Sequence, residues 1–127
     1  MSPRNGHKYG AVRTQVDGHS FDSKAEARRY AELRLLEKAG EIEGLELQPA
    51  FPLRVLLTTG TFAGAGAALA GEYPTIGKYI ADFRYFRLTP PMGWVVEDVK
   101  GVKTALYRWK KKHAEAQFGI TITEITR

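Results

Sequence analysis

Asp82, Asp98 and Lys100 are the residues whose types and spacing could do chemistry in this sequence. Asp98 and Lys100 stand two apart at the end of an apolar run, Trp94-Val95-Val96-Glu97-Asp98-Val99-Lys100-Gly101. In a β-strand residues i and i+2 point to the same face, so Asp98 and Lys100 are expected side by side. Their Cα atoms would lie roughly 6.5 Å apart at a rise of about 3.3 Å per residue. Glu97 is expected on the opposite face, as a structural acid. An acid beside a lysine can hold a divalent cation while the ammonium steadies an attacking water or a phosphate oxygen. The same triplet also makes an ordinary salt bridge on an edge strand, so its surroundings must decide.

Asp82 supplies the first of those surroundings. It lies within Lys78-Tyr79-Ile80-Ala81-Asp82-Phe83-Arg84-Tyr85-Phe86, which reads as part of a strand from Lys78 to Leu88. Aspartate is depleted in strand interiors because its short polar side chain competes for backbone hydrogen bonds, so one here needs a partner or a task. Pro90-Pro91-Met92-Gly93 makes a turn, and Trp94 to Lys100 returns antiparallel. That hairpin brings Asp82 and Asp98 onto neighbouring strands about 5 Å apart if the register lets them face each other. Two carboxylates that close repel unless a cation sits between them.

Glu26 admits two readings. Ser23-x-x-Glu26 opens a helix expected from Ser23 to Lys38 and ended by Gly40, so the carboxylate could close a capping box onto the Ser23 amide. Glu26 also lies one turn before Tyr30, on a row expected to face a sheet, where it could reach a metal. Tyr30, Leu33 and Leu36 form that row, with Ala27, Ala31 and Leu35 widening it and Arg28, Arg29 and Glu32 more exposed.

The remaining elements fill in around these. Thr14 to Phe21 reads as a short hairpin about Asp17-Gly18. Leu45 to Gln48 alternates as a strand, Pro49 interrupts it, and Phe51 to Leu57 continues extended, with Gln48 at an edge or lining a site. Residues 58–77 are dense in glycine and alanine and read as a loop insertion, without the Gly-Lys-Ser/Thr of a phosphate-binding loop. A basic helix follows from Thr104 to Phe118, with Leu106, Trp109, Ala105 and Ala116 expected on its packing side. Ile120 to Ile125 alternates as a last strand, expected parallel to Val95–Lys100 after a crossover helix.

Composition narrows the class. At 127 residues one domain with a single core is expected, 1–8 being a flexible basic arm and 9–127 the folded unit. No stretch of about 18 apolar residues predicts a transmembrane helix, and the first residues lack the apolar core of a secretory signal. The absence of cysteine excludes disulfides and cysteine-ligated zinc and fits a reducing cytoplasm. A net charge of +5 suits a polyanionic partner.

In order, then, come a helix with Glu26, extended strands, Asp82, Asp98-x-Lys100, a helix and a strand. The phrases Phe21-Asp22-Ser23-Lys24-Ala25-Glu26-Ala27, Leu45-Glu46-Leu47-Gln48-Pro49, Tyr79-Ile80-Ala81-Asp82-Phe83 and Val96-Glu97-Asp98-Val99-Lys100-Gly101 together resemble the PD-(D/E)xK nuclease superfamily, and most of all its small phage- and prophage-encoded members. The resemblance spans about residues 8 to 125, the 58–77 insertion excepted. It implies an α/β domain of the restriction-endonuclease-like kind, a central mixed β-sheet flanked by helices. Asp82 would match the first metal-binding aspartate, Asp98 the second acid, Lys100 the catalytic lysine, and Glu26 the helix carboxylate of phage junction-resolving endonucleases. Ala81 replaces the usual proline, and of the Gln-x-x-x-Tyr of the exonuclease-like branch only Tyr107 is present. Asp82, Asp98 and Glu26, with the Val99 backbone carbonyl, would offer hard oxygen ligands to Mg²⁺ or Mn²⁺.

The implied activity is that of a metal-dependent DNA endonuclease acting on branched or junction DNA in phage replication, recombination or packaging, in the cytoplasm of the bacterial host. The alternative is a non-catalytic DNA-binding or assembly module that keeps the fold. DNA is the expected partner, a homodimer the expected assembly, and no membrane is expected. Lys8, Arg13, Lys24, Lys103, Arg108, Lys110, Lys111 and Lys112 are the residues expected to meet DNA.

Overall fold

The computed structural model describes residues 13–55 and 73–126. In chain order these form the hairpin β1 (Thr14–Val16) and β2 (His19–Phe21), helix α1 (Lys24–Lys38), β3 (Ile42–Leu47), β4 (Ala50–Arg54), β5 (Thr75–Ile80), β6 (Phe83–Arg87), β7 (Gly93–Lys100), helix α2 (Ala105–Phe118) and β8 (Ile122–Thr126). The fold is mixed α/β. A four-stranded sheet in the order β3-β6-β7-β8 is antiparallel except for the parallel pair β7–β8, and β1–β2 and β4–β5 form two-stranded sheets. No helix among the described residues is long and apolar enough to cross a membrane.

One face of the central sheet is covered by α1. Ser23 caps the helix in an extended conformation, its hydroxyl accepting from the Glu26 amide at 3.1 Å, and Gly40 follows the helix at φ 79°. Ala27, Tyr30 and Leu33 are buried at helical spacing with Phe21, Ile42, Phe83 and Tyr85. Leu35 falls off this stripe and is exposed, so the apolar face is narrower than the sequence predicts. Arg29 is a second correction: it turns inward and grips both oxygens of Glu97 on β7, Nε to Oε1 at 2.8 Å and Nη2 to Oε2 at 2.6 Å.

The other face is covered by α2 and the β4–β5 pair. Thr104 caps α2 through the Tyr107 amide, and Gly119 ends it in the left-handed region at φ 65°. Its packing side is not the Leu106–Trp109 row expected from the sequence. Ala114 is the buried residue, flanked by Tyr107 and by Ile120 beyond the helix, against Phe51, Leu53, Tyr79, Ala81, Val96 and Ile122. Two polar side chains of α2 fix the edge of β4. The Gln117 amide accepts from Arg54 N at 2.8 Å and donates to Pro52 O at 3.0 Å, and His113 Nε2 meets Arg54 O at 2.8 Å. Helix side chains thus supply the bonds that a neighbouring strand would give, and Pro52 sits at an edge as its missing N–H requires.

The single strand expected over Lys78–Leu88 is two strands belonging to different sheets. β5 pairs with β4 and β6 with β3, and the chain breaks at Ala81-Asp82. The opposite arm breaks at the same level, where Gln48 takes φ 53° before the buried Pro49. The two breaks are sewn together by Gln48 N to Asp82 O at 2.9 Å and Ala81 N to Pro49 O at 3.1 Å. A long hairpin therefore bends across the sheet edge, and Asp82 sits at the bend rather than inside a strand. The 1–8 arm with Lys8, and residues 58–72 of the expected insertion, lie outside the described residues. Thr75 to Gly77 belong to β5, paired with Arg54 and Leu53, and not to the insertion.

The Arg29–Glu97 pair gives the fold a measurable test. Removing one partner of a buried ion pair leaves an uncompensated charge, at a cost of about 3–5 kcal/mol. Arg29→Met is therefore expected to lose about that much stability in urea denaturation, while Arg29→Met with Glu97→Met recovers most of it. Leu35→Ala, at an exposed position, should stay within about 0.5 kcal/mol of the wild type.

Candidate functional site

β7 carries two adjacent buried acids. Glu97 is 2% exposed and Asp98 1%, and strand alternation sends them to opposite faces. Each meets one tyrosine hydroxyl and one cation. Glu97 receives Tyr85 and Arg29 on the α1 side. Asp98 receives Tyr79 at Oδ2 and has Lys100 Nζ 3.1 Å from Oδ1 on the α2 side.

The two acids differ in how completely they are satisfied. The planar guanidinium of Arg29 meets both Glu97 oxygens, and Tyr85 adds a third bond, so Glu97 is a finished structural ion pair. Burial and the Glu97 carboxylate push the Tyr85 hydroxyl up to about 12. The Lys100 ammonium, by contrast, lies close to Asp98 Oδ1 without the alignment of a hydrogen bond, which leaves that oxygen buried with no donor. Buried polar atoms without donors are rare, and each calls for an explanation such as an ordered water, an ion or a catalytic role. Lys100 also rests over the Tyr107 ring, 4.3 Å from its centroid, so its position is held from two sides. Burial first, then the Asp98 carboxylate, push the Tyr79 hydroxyl far up and keep it a donor.

Asp82 joins this pair from the bend. Phe83 pairs with Glu97, so the register continued by one residue sets Asp82 opposite Asp98. Asp82 Oδ2 accepts from the Val99 amide at 2.7 Å. Its carboxyl is pushed far above the ordinary carboxylate range. Burial is the largest cause, followed by a side-chain hydrogen bond and charge repulsion from Glu26 and repulsion from Asp98, with the Val99 amide opposing. Burial and two neighbouring acids thus favour the neutral form of the Asp82 carboxyl. Glu26 caps its helix, though not through the bond expected for it. Its amide is capped by Ser23 while Oε1 accepts from Asp22 N at 3.1 Å, which replaces the expected bond to the Ser23 amide.

Asp82 is thus brought beside both Asp98 and Glu26, and Lys100 beside Asp98, with Val99 contributing its amide to Asp82. Among the described residues no three His, Asp or Glu side chains are already grouped as an ion cage. The donor types are nevertheless those a hard divalent cation takes: carboxyl oxygens from Asp82 and Asp98 on facing strands, one of them buried without a hydrogen-bond donor, with Glu26 beside Asp82. Of the expected DNA-contacting residues, Lys103 and Lys111 are tied to Glu124 and Glu115 at 2.9 and 3.3 Å, and Arg13 to Asp22 at 3.0 Å. Lys24, Arg108, Lys110 and Lys112 carry no ion pair among the described residues.

The sequence does not foretell Tyr79 and Tyr107 as neighbours of Asp98 and Lys100. Tyr79 reaches Asp98 only because the bend at Ala81-Asp82 folds β5 over the α2 face. Tyr107 was visible as a lone tyrosine of a broken motif, and its hydroxyl donates to Glu124 at 2.8 Å, which leaves the ring face for Lys100.

Fold and site together define a mixed α/β protein with a buried acid–lysine pair on an inner strand and a further acid facing it from the bend between β5 and β6. The family model described as "Protein of unknown function (DUF1064)" matches residues 6–127, and the chain belongs to that family. No curated protein and no solved structure matches it.

The strained acid pair sets a pH dependence. Asp82 holds its proton more tightly folded than unfolded, so its contribution to stability is full below its unfolded value near ~4 and is lost as pH rises toward the raised folded value. Asparagine keeps an acceptor for the Val99 amide and never ionises. Asp82→Asn is expected to exceed the wild type in stability by on the order of 1 kcal/mol at about pH 8 in EDTA, with the gap closing toward about pH 4. Urea denaturation across that range measures it, and a variant less stable at every pH would contradict it.

Proposed function

We propose that this chain is a metal-dependent DNA endonuclease that hydrolyses phosphodiester bonds. The observation that carries the reading is Asp98: fully buried, with one oxygen lacking a hydrogen-bond donor, beside Lys100 and opposite Asp82 in the β6–β7 register. A purely structural acid is expected to look like Glu97, with every oxygen met. Asp98 does not.

Asp82, Asp98 and Glu26 would hold Mg²⁺ or Mn²⁺, with the Val99 carbonyl as a further hard oxygen donor. Such an ion supplies Lewis acidity toward the scissile phosphate and lowers the pKa of a bound water. Lys100, steadied by Tyr107, orients the attacking water and offsets negative charge on the phosphate oxygens. Tyr79 holds Asp98 so that Oδ1 stays turned toward Lys100. Water oxygen attacks phosphorus, the bond to the 3′-oxygen breaks, and that oxygen takes a proton, leaving 5′-phosphate and 3′-hydroxyl ends. Arg29 and Tyr85 act at one remove, since pinning Glu97 fixes the strand that carries Asp98 and the helix that carries Glu26.

The restriction-endonuclease-like architecture, the preference for branched DNA, the role in phage replication, recombination or packaging, and the bacterial cytoplasm rest on the resemblance alone. A homodimer would provide the two sites that cutting both strands requires. One observation favours the second reading, a DNA-binding or assembly module without catalysis: the described acids are not grouped as a ready ion cage.

Linear, nicked, flap and four-way DNA incubated with Mg²⁺ or Mn²⁺ decide between the two. Cleavage that EDTA stops is expected, with Asp82→Ala and Asp98→Ala inactive though folded by circular dichroism, and Lys100→Ala reduced by about 100-fold or more. Salt-dependent DNA binding with no cleavage of any substrate would select the non-catalytic module.

A further inference from the structure

The outward face of α2 is not used by the core. Leu106 and Trp109 lie three residues apart on one helical row and are 60% and 71% exposed. A scattered exposed apolar residue is ordinary, but this indole is built into a surface. It borders two cavities, one of about 500 Å³ with Ala105, Leu106, Arg108 and Lys112, the other of about 470 Å³ with Arg54, Lys112, His113 and Gln117. Lys112 borders both. Among the described residues, no carboxylate lines either cavity, and neither Arg108 nor Lys112 is spoken for by an ion pair.

Charge and shape restrict what can cover such a face. A second copy packed across a two-fold axis would set this patch, with Arg54, Arg108 and Lys112, against an identical basic patch, on a chain that already carries +5. A partner is needed that presents anions and flat apolar groups in alternation. Each unit of a nucleic-acid strand carries a phosphate and a planar base. Bases in a duplex are stacked on one another and cannot cover an indole, whereas those of an unpaired strand can.

We propose that the Trp109 face of α2 is a stacking platform for an unpaired nucleic-acid strand, with Arg54, Arg108 and Lys112 meeting its phosphates. The site deepens the endonuclease reading, on which it rests for its place in the reaction, by assigning the substrate a single-stranded segment such as a flap, gap or opened junction arm. Tyr107 and the Trp109 platform sit on the same helix, Tyr107 against Lys100 and Trp109 facing outward, so a strand held on the platform lies one helix width from the acid–lysine pair. Stacking on Trp109 works for any base, since every base has a π-face, and it therefore confers structure preference without sequence preference.

The test is binding in EDTA, which reads the platform whether or not the chain cleaves. Labelled oligothymidine and a duplex of equal length are titrated by fluorescence anisotropy against the full chain. Trp109→Ala is expected to weaken the single strand by about fivefold or more and the duplex by much less, with Trp109→Phe restoring most of the loss. Arg108→Ala and Lys112→Ala should lower the salt dependence of single-strand binding. Trp94→Ala, which removes the other exposed indole, should leave both affinities unchanged. Unchanged single-strand affinity in Trp109→Ala, or an equal loss for single strand and duplex, overturns the proposal. So does a wild type that sediments as a dimer and a Trp109→Ala variant that sediments as a monomer, because the face would then belong to a second copy. Loss of cleavage in Asp82→Ala with single-strand binding intact keeps the two inferences apart.

Discussion

Two neighbouring acids buried back to back on one strand are the constraint on which the rest of this structure depends. Burying a carboxylate is costly unless it is paired, and β7 does so twice in succession, once toward each face. Each face must therefore deliver a cation and a hydroxyl to a fixed point. On the α1 side Arg29 and Tyr85 do so and leave no oxygen unmet, which ties helix, sheet and strand register into one arrangement. On the α2 side Tyr79 and Lys100 do so incompletely. The two solutions share a design and differ in completeness.

The bent hairpin brings the second acid to this point. Had Lys78–Leu88 run on as one strand, Tyr79 would lie in the central sheet and Asp82 would be an ordinary mid-strand aspartate. Breaking both arms at Gln48-Pro49 and Ala81-Asp82 sends β4 and β5 over the α2 face, where Tyr79 reaches Asp98. The same break frees the Asp82 side chain from the ladder to meet the Val99 amide and Glu26. Burial and the two neighbouring acids make ionising Asp82 costly in the folded chain.

Helix α2 divides its duties by face. Its inner side seats Ala114 on the core, gives β4 an edge partner through Gln117 and His113, and lays the Tyr107 ring under Lys100. Its outer side keeps an indole in solvent between cations. Ala114 is the one fully buried residue of the helix, and Leu106 and Trp109, which would ordinarily seal it, point outward. That reversal makes the helix both a scaffold for the site and a surface.

Local chemistry was legible in the sequence. Ser23 as cap, Gly40 as stop and the Asp17-Gly18 hairpin follow from short-range rules, because caps and turns are set by a few adjacent residues, and the parallel β8 follows from the crossover helix before it. So was the division of Glu97 from Asp98, since strand alternation depends on nothing beyond the strand. The inward turn of Arg29, the placement of Tyr79 and Tyr107, the outward face of Leu106 and Trp109, and the splitting of one apparent strand into β5 and β6 were decided by the tertiary structure. Each depends on which surface lies across from the residue, and periodicity within a segment carries no record of that. The sequence determined which residues could do chemistry; packing decided that Asp98, and not Glu97, was left with an oxygen unmet.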